Sequence, residues 1–232
     1  MGEEYTVQNR VRIFRIIGRP IFRGIFHLLS RVRITGLGNV PKSGAYLIAM
    51  NHVSLYDPPF VLAFWPVAPE AVGASDIWKK RGQSFLAAYY GGIPVHRGEY
   101  DRQVIDILCR VLRSGYPLVI APEGGRSHKP GMRRALPGVA FIVEKTGVPV
   151  VPVGITGTTE DFLQLALSGK RPLLEMTIGE PFHLPAAGQT GTNRREHRQY
   201  SADLIMENIA SLLPPEYQGV YGEDVDSFQA AQ

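Results

Sequence analysis

One cysteine, Cys109, stands among 232 residues, so no disulfide can form within the chain. That fits a reducing compartment better than a disulfide-stapled secreted fold. Cys109 sits in the apolar stretch VIDILCRVL and reads as a buried core thiol rather than a nucleophile. Long apolar runs are also missing. A membrane span needs about 20 mostly apolar residues, and in VRIFRIIGRPIFRGIFHLL an arginine recurs every three or four positions. The same interruptions, with no small-residue cleavage site after them, argue against a secretory signal. There is no G-x-S-x-G elbow, no P-loop and no dinucleotide glycine pattern after a strand. The six histidines and single cysteine show no metal-ligand spacing.

What is present begins with charge placement. Residues 1–40 hold Arg10, Arg12, Arg15, Arg19, Arg23, Arg31 and Arg33 against Glu3 and Glu4, a net of +5, while the rest of the chain nets −1. Arg12, Arg15, Arg19, Arg23 and His27 recur at helical spacing along one face, with Ile13, Ile16, Ile17, Ile21, Ile25 and Leu28 covering the other sides. Gly18 and Pro20 are expected to break this segment into two helices. A basic amphipathic element of this kind lies in a lipid headgroup plane with its apolar side sunk toward the acyl chains. The alternative is a helix packed on the protein's own core with a solvated arginine stripe. A nucleic-acid partner is not expected, because the basic excess is confined to one segment and no binding motif accompanies it.

The remaining pattern alternates strands with helices. RVRITGL, AYLIAM, GIPVHR, YPLVIA, VPVVPVGI and LLEMTI read as strands; DPPFVLAFW, QSFLAAYYG, DRQVIDILCRVLRSG, GVAFIVEKTG and REHRQYSADLIMENIASLL read as helices. This predicts an α/β fold with a mixed, mainly parallel sheet flanked by helices, and sites at the C-terminal ends of strands. The expected organisation is an N-terminal amphipathic two-helix membrane-binding element over 1–30, a main domain over 31–213, and a polar, acidic, poorly ordered tail over 214–232.

Three stretches carry chemistry. In NHVSLYD, His52 leaves a strand and Asp57 starts a helix, so the turn between them lets a carboxylate orient an imidazole as general base. The bland reading is a turn in which Asp57 merely caps the helix before Pro58. Ser54 lies close to His52 but lacks an activating signature of its own. In PEGGRS, glycine backbone and Arg126 suit a bound anion, and Glu123 is placed to orient that arginine or bind a hydroxyl. A polar turn with a surface ion pair is the alternative. In GGIPVHR, Arg97 leaves another strand as a second phosphate contact. VPVVPVGI has Pro149 and Pro152 about a strand, which points to an edge, an end or a bulge.

Taken in order, NHVSLYD, GGIPVHR, PEGGRS and VPVVPVGI resemble the four blocks of the glycerolipid acyltransferases, of the 1-acyl-sn-glycerol-3-phosphate acyltransferase type, across residues 45–156. The resemblance implies a glycerol-phosphate acyltransferase-like fold and transfer of a fatty acyl group from acyl-CoA or acyl-carrier protein to a lysophospholipid hydroxyl. His52 would be the base and Asp57 its partner, while Arg97, Glu123, Gly124 and Arg126 would bind the acceptor. No metal or redox cofactor is implied. The partners implied are an anionic membrane surface, the lysophospholipid acceptor and the acyl donor, at the cytoplasmic face of the cell membrane. One departure stands out: the third block commonly carries threonine where this chain has Gly125, which keeps other lysolipid acceptors or glycerol 3-phosphate open; a thioester or lysolipid hydrolase, with water in place of the hydroxyl, is a separate alternative.

Overall fold

Short apolar segments, continuously buried at the centre and alternating in β1 and β7, make the sheet. A computed structural model describes residues 4–96, 101–186 and 193–222. The chain runs through helix α1 (Asn9–Leu29), strands β1 (Arg31–Thr35) and β2 (Leu47–Met50), and helix α2 (Asp57–Phe64). Then follow β3 (Glu70–Ala74), α3 (Gln83–Tyr90), β4 (Ile93–Val95), α4 (Arg102–Arg113) and β5 (Leu118–Ile120). The last part comprises α5 (Gly138–Thr146), β6 (Val150–Thr156), α6 (Phe162–Leu167), β7 (Leu173–Ile178), α7 (Arg194–Ala210) and α8 (Pro215–Gln218).

The strands form one sheet in the order β1-β7-β6-β2-β5-β3-β4, antiparallel only between β6 and β7. The mixed, mainly parallel sheet expected from the alternation is therefore present. β2 is buried along its whole length because both its faces are covered. Leu47 and Ala49 face a core shared with α4, α5 and α7. Tyr46, Ile48 and Met50 face a second core shared with α1, α2 and α6. Cys109 is buried in the first of these, and burial pushes its thiol pKa up. Pro152 lies in an interior strand at a bulge: Val150 pairs with Phe182 and Val153 with Ile178, so three steps on β6 face four on the returning chain.

The N-terminal segment departs from expectation twice. It is a single helix that runs through Gly18 and Pro20 rather than two. The proline removes one backbone donor, but tertiary contacts on both sides of it hold the helix together. Three arginines of the expected stripe are also turned inward, and six aliphatic side chains outward, while Val11 and Phe26 are buried with the arginines. Arg15 is 5% exposed and forks onto Glu70 at 2.5 and 2.7 Å, with its Nε donating to the Tyr90 carbonyl at 2.9 Å. Tyr5 donates a further hydrogen bond to Glu70 at 2.7 Å. Arg19 donates to the carbonyls of Leu62 and Trp65, and Arg23 to that of Ala63. These carbonyls end α2, where backbone acceptors lack partners within their own helix and the dipole favours cations. Arg15, Arg19 and Arg23 thus meet acceptors inside the protein instead of lipid headgroups or solvent, while Arg12 and His27 at the two ends of the stripe stay exposed. Ile13, Ile16, Ile17, Ile21, Ile25 and Leu28 are exposed, Ile16 and Leu28 by 72% and 75%.

The tail begins later than expected. Residues 215–222 are docked: the Tyr217 hydroxyl accepts from the Gly157 N–H at 3.0 Å, and that of Tyr221 accepts from Ala135 N–H and donates to Asp203. Two tyrosines in the acidic segment bring it onto the domain. Residues 223–232 lie outside the described part.

Candidate active site

β2 is flanked by β5 and β6, so the loops leaving these three strands meet at one end of the sheet. The departure of the first loop is held by Asn51. Its amide Nδ2 donates to the Ile155 carbonyl at 2.9 Å, and its Oδ1 accepts from the Ile155 N–H at 2.7 Å. The side chain takes the place of the next rung of the β2–β6 ladder, which frees the backbone to turn at His52.

His52 Nδ1 lies 2.9 Å from Asp57 Oδ2. Asp57 is fully buried. Its Oδ2 also accepts from the Ser54 N–H at 2.8 Å, and its Oδ1 accepts from the Thr158 hydroxyl. Asp57 is the first residue of α2 and makes no capping bond to that helix, so the simple cap reading fails. Three donors surround this carboxylate, and the imidazole is one of them. With its proton on Nδ1, the neutral ring keeps a lone pair on Nε2, for which no protein partner is present among the described residues. His52 is a wall of an otherwise largely apolar cavity of about 310 Å³ that also takes in Met50, Pro58, Leu108 and Val139. Ser54 is fully buried, and its oxygen accepts from the Tyr56 N–H at 3.1 Å. It is therefore structural.

Glu123 does not reach Arg126. It is 4% exposed; Oε1 accepts from the His52 N–H and Oε2 from the Arg133 N–H, both at 2.9 Å. Its role is to tie the loop after β5 to the backbone of the base. Burial pushes its carboxyl up to about 7, although these two backbone N–H bonds pull the other way. Gly124 adopts φ 69°, which favours glycine, and a Cβ there would push aside only the tip of the exposed Leu136 side chain. The same loop is zipped to the first: Ser127 N–H donates to the His52 carbonyl at 2.8 Å, and His128 N–H to that of Val53 at 3.1 Å. Arg126 is thereby held beside the base, and its carboxylate partner is Glu160, at 3.4 Å. Arg97, the remaining expected site residue, lies outside the described residues.

Asn51, Thr158, Arg133, His128 and Glu160 join this site without having been singled out from the sequence. Thr158 and Glu160 follow β6 in GTTED, a stretch whose only local signal is that of a polar turn. Among the described residues, no group of three or more His, Cys, Asp or Glu side chains gathers as a metal cluster. Nor is any described helix long and apolar enough to cross a membrane.

The acyltransferase family model matches residues 31–156. The crystal structure of the 1-acyl-sn-glycerophosphate (LPA) acyltransferase PlsC from Thermotoga maritima superposes with a TM-score of 0.60 at 25% identity, over 87% of this chain and 79% of that one. Uncharacterized proteins of Mycobacterium tuberculosis and Mycobacterium bovis are 25% identical over 187 residues, which cover 75% of this chain and 51% of each of theirs. The chain thus spans about half the length of the curated relatives it matches. With the mixed sheet and the paired His52 and Asp57 at its C-terminal edge, these matches place the chain in the acyltransferase family.

Proposed function

We propose that the protein transfers a fatty acyl group from a thioester, acyl-CoA or acyl-carrier protein, to the sn-2 hydroxyl of 1-acyl-sn-glycerol 3-phosphate. The observation that carries this reading is the His52–Asp57 pair at an apolar cavity, with Arg126 fastened alongside. His52 Nε2 takes the proton of the acceptor hydroxyl as its oxygen attacks the thioester carbonyl. The tetrahedral intermediate collapses, the C–S bond breaks, and the imidazolium returns the proton to the leaving thiolate. Asp57 stabilises the imidazolium between these events. The acyl group passes directly to the acceptor, without a covalent acyl-enzyme.

Lipid access favours the same reading. A second, strongly apolar cavity of about 370 Å³ lies between α1, α2 and α3, and shares Pro58, Val72 and Ile77 with the first. Two adjoining apolar spaces suit the two chains that meet in this reaction. The exposed isoleucine face of α1 continues onto Phe85 and Tyr89 of α3 through Phe14, whose ring lies 5.7 Å from that of Tyr89. An apolar face of this extent suits the interfacial plane of a bilayer, which we assign to the cytoplasmic side of the cell membrane.

An acceptor panel at fixed oleoyl-CoA tests the assignment. Phosphatidate from 1-acyl-sn-glycerol 3-phosphate is expected as the main product. Equal or faster turnover of a phosphate-free acceptor would replace phosphatidate synthesis with another lysolipid acylation, and fatty acid release without acceptor would indicate a hydrolase.

A further inference from the structure

Two arginines of α1 hold the helix that carries Asp57. Arg19 Nε donates to the Leu62 carbonyl at 2.8 Å and its Nη2 to that of Trp65, while Arg23 Nε donates to the Ala63 carbonyl at 2.6 Å. Among the described residues, neither guanidinium pairs with a carboxylate; backbone acceptors are what both meet. Burial pulls the Arg19 pKa down, so that cation is held in place against a desolvation cost. α2 needs the help. Its eight residues span about 12 Å, and a helix that short is marginal alone. It has no side-chain cap at its start and no basic residue in its last turn. The two arginines supply from α1 what the sequence of α2 lacks.

Asp57 is the first residue of the same helix. Thr158 and the Ser54 N–H orient its carboxylate, but the seat of the helix comes from α1. Beside the arginines, Phe26 packs on Phe60 and Phe64 with ring centroids 5.3 and 6.1 Å away. Arg19, Leu62 and Ala63 are walls of the larger apolar cavity, and Pro58 is a wall of both, so the clamped helix borders each of them. From this geometry we infer that Arg19 and Arg23 are positioning residues for the His52–Asp57 pair, acting through α2. The helix with the outward apolar face is thereby part of the catalytic apparatus. The inference rests on the reaction proposed above only for its kinetic readout.

The test compares wild type with Arg19→Met, Arg23→Met, Arg19→Lys and Arg23→Lys, and with Arg12→Met as a control on an exposed arginine of the same helix. Each full chain is measured by thermal melting, vesicle sedimentation, steady-state acyl transfer and NMR of labelled histidine rings, the His52 signal being identified by its loss in His52→Ala. Arg19→Met and Arg23→Met are each expected to lower kcat by about ten-fold and leave KM for both substrates within about two-fold, as for a misplaced base rather than lost binding. The His52 ring signal should shift in both. Arg23→Lys keeps one donor for one carbonyl and should return kcat to within about two-fold of wild type, whereas Arg19→Lys, with two carbonyls to serve, should stay about three-fold low. Arg12→Met should match wild type in kcat and ring signal. Unchanged kcat with an unmoved ring signal in the folded methionine variants would overturn the inference and leave a purely structural clamp. A loss carried by KM and vesicle binding would overturn it in favour of lipid contact. Should the methionine variants not fold, Arg19→Lys decides, and wild-type kcat and ring signal there overturn the inference. If wild type shows no acyl transfer but the ring signal follows the expected order, the positioning stands and the proposed reaction fails.

Discussion

Asp57 shows how one side chain is committed by its surroundings. A buried carboxylate needs its oxygens satisfied, and the three donors come from the His52 ring, the Ser54 backbone and Thr158. Thr158 bonds the oxygen that His52 does not use, and so sets the plane of the carboxylate. Leaving a buried acceptor unpaired costs about 1–3 kcal/mol. Thr158→Val is therefore expected to lower kcat/KM by about ten-fold or more, with Thr158→Ser close to wild type; steady-state kinetics on both variants checks this. Glu123 gives a different readout. Its carboxyl stands near 7 in the fold against an ordinary 4.5. Between these values the folded protein keeps a proton that the unfolded chain releases, so this group's stabilising contribution is complete below about pH 4.5 and is lost as pH rises through 7. Thermal melts across that window should show Glu123→Gln losing less stability with rising pH than wild type. Parallel profiles would mean that Glu123 does not titrate there.

At the scale of elements, several segments were legible and others were not. Gly91, Gly115 and Gly147 end α3, α4 and α5 where the apolar periodicity stops, all three with positive φ. The segments β3 and α6 escaped the sequence reading, because five residues of EAVGA and six of FLQLAL are too short to show a period. The first helix is the instructive case. Its spacing reveals a charged face and an apolar face, but not which one turns inward. That choice is made by Glu70 and by the open carbonyls at the end of α2, groups 40 or more residues away in sequence. Since the outward face is apolar, bilayer binding should depend on it. Replacing Ile17 and Leu28 with Asp is expected to abolish sedimentation with anionic lipid vesicles while leaving the melting temperature within a few degrees. Unchanged sedimentation would contradict the assigned membrane face.

At the scale of the molecule, parallel strands bring separate segments to one edge. Residues 51–57 and 123–128 are far apart in sequence, yet β2 and β5 are neighbours, so the two loops zip together backbone to backbone. This much could be anticipated from strands that alternate with helices. The contribution of the loop after β6 could not, since Thr158 and Glu160 gain their roles only from the β2–β6 pairing and the Asn51 clamp that seats it. The central claim is that this edge performs acyl transfer with His52 as base. Thiol release from oleoyl-CoA, with and without 1-acyl-sn-glycerol 3-phosphate, tests it in wild type and His52→Ala. Release that requires the acceptor and falls by at least about a hundred-fold in the variant is the expected result, in line with the loss of a general base. Acceptor-dependent release that survives in His52→Ala would contradict the account.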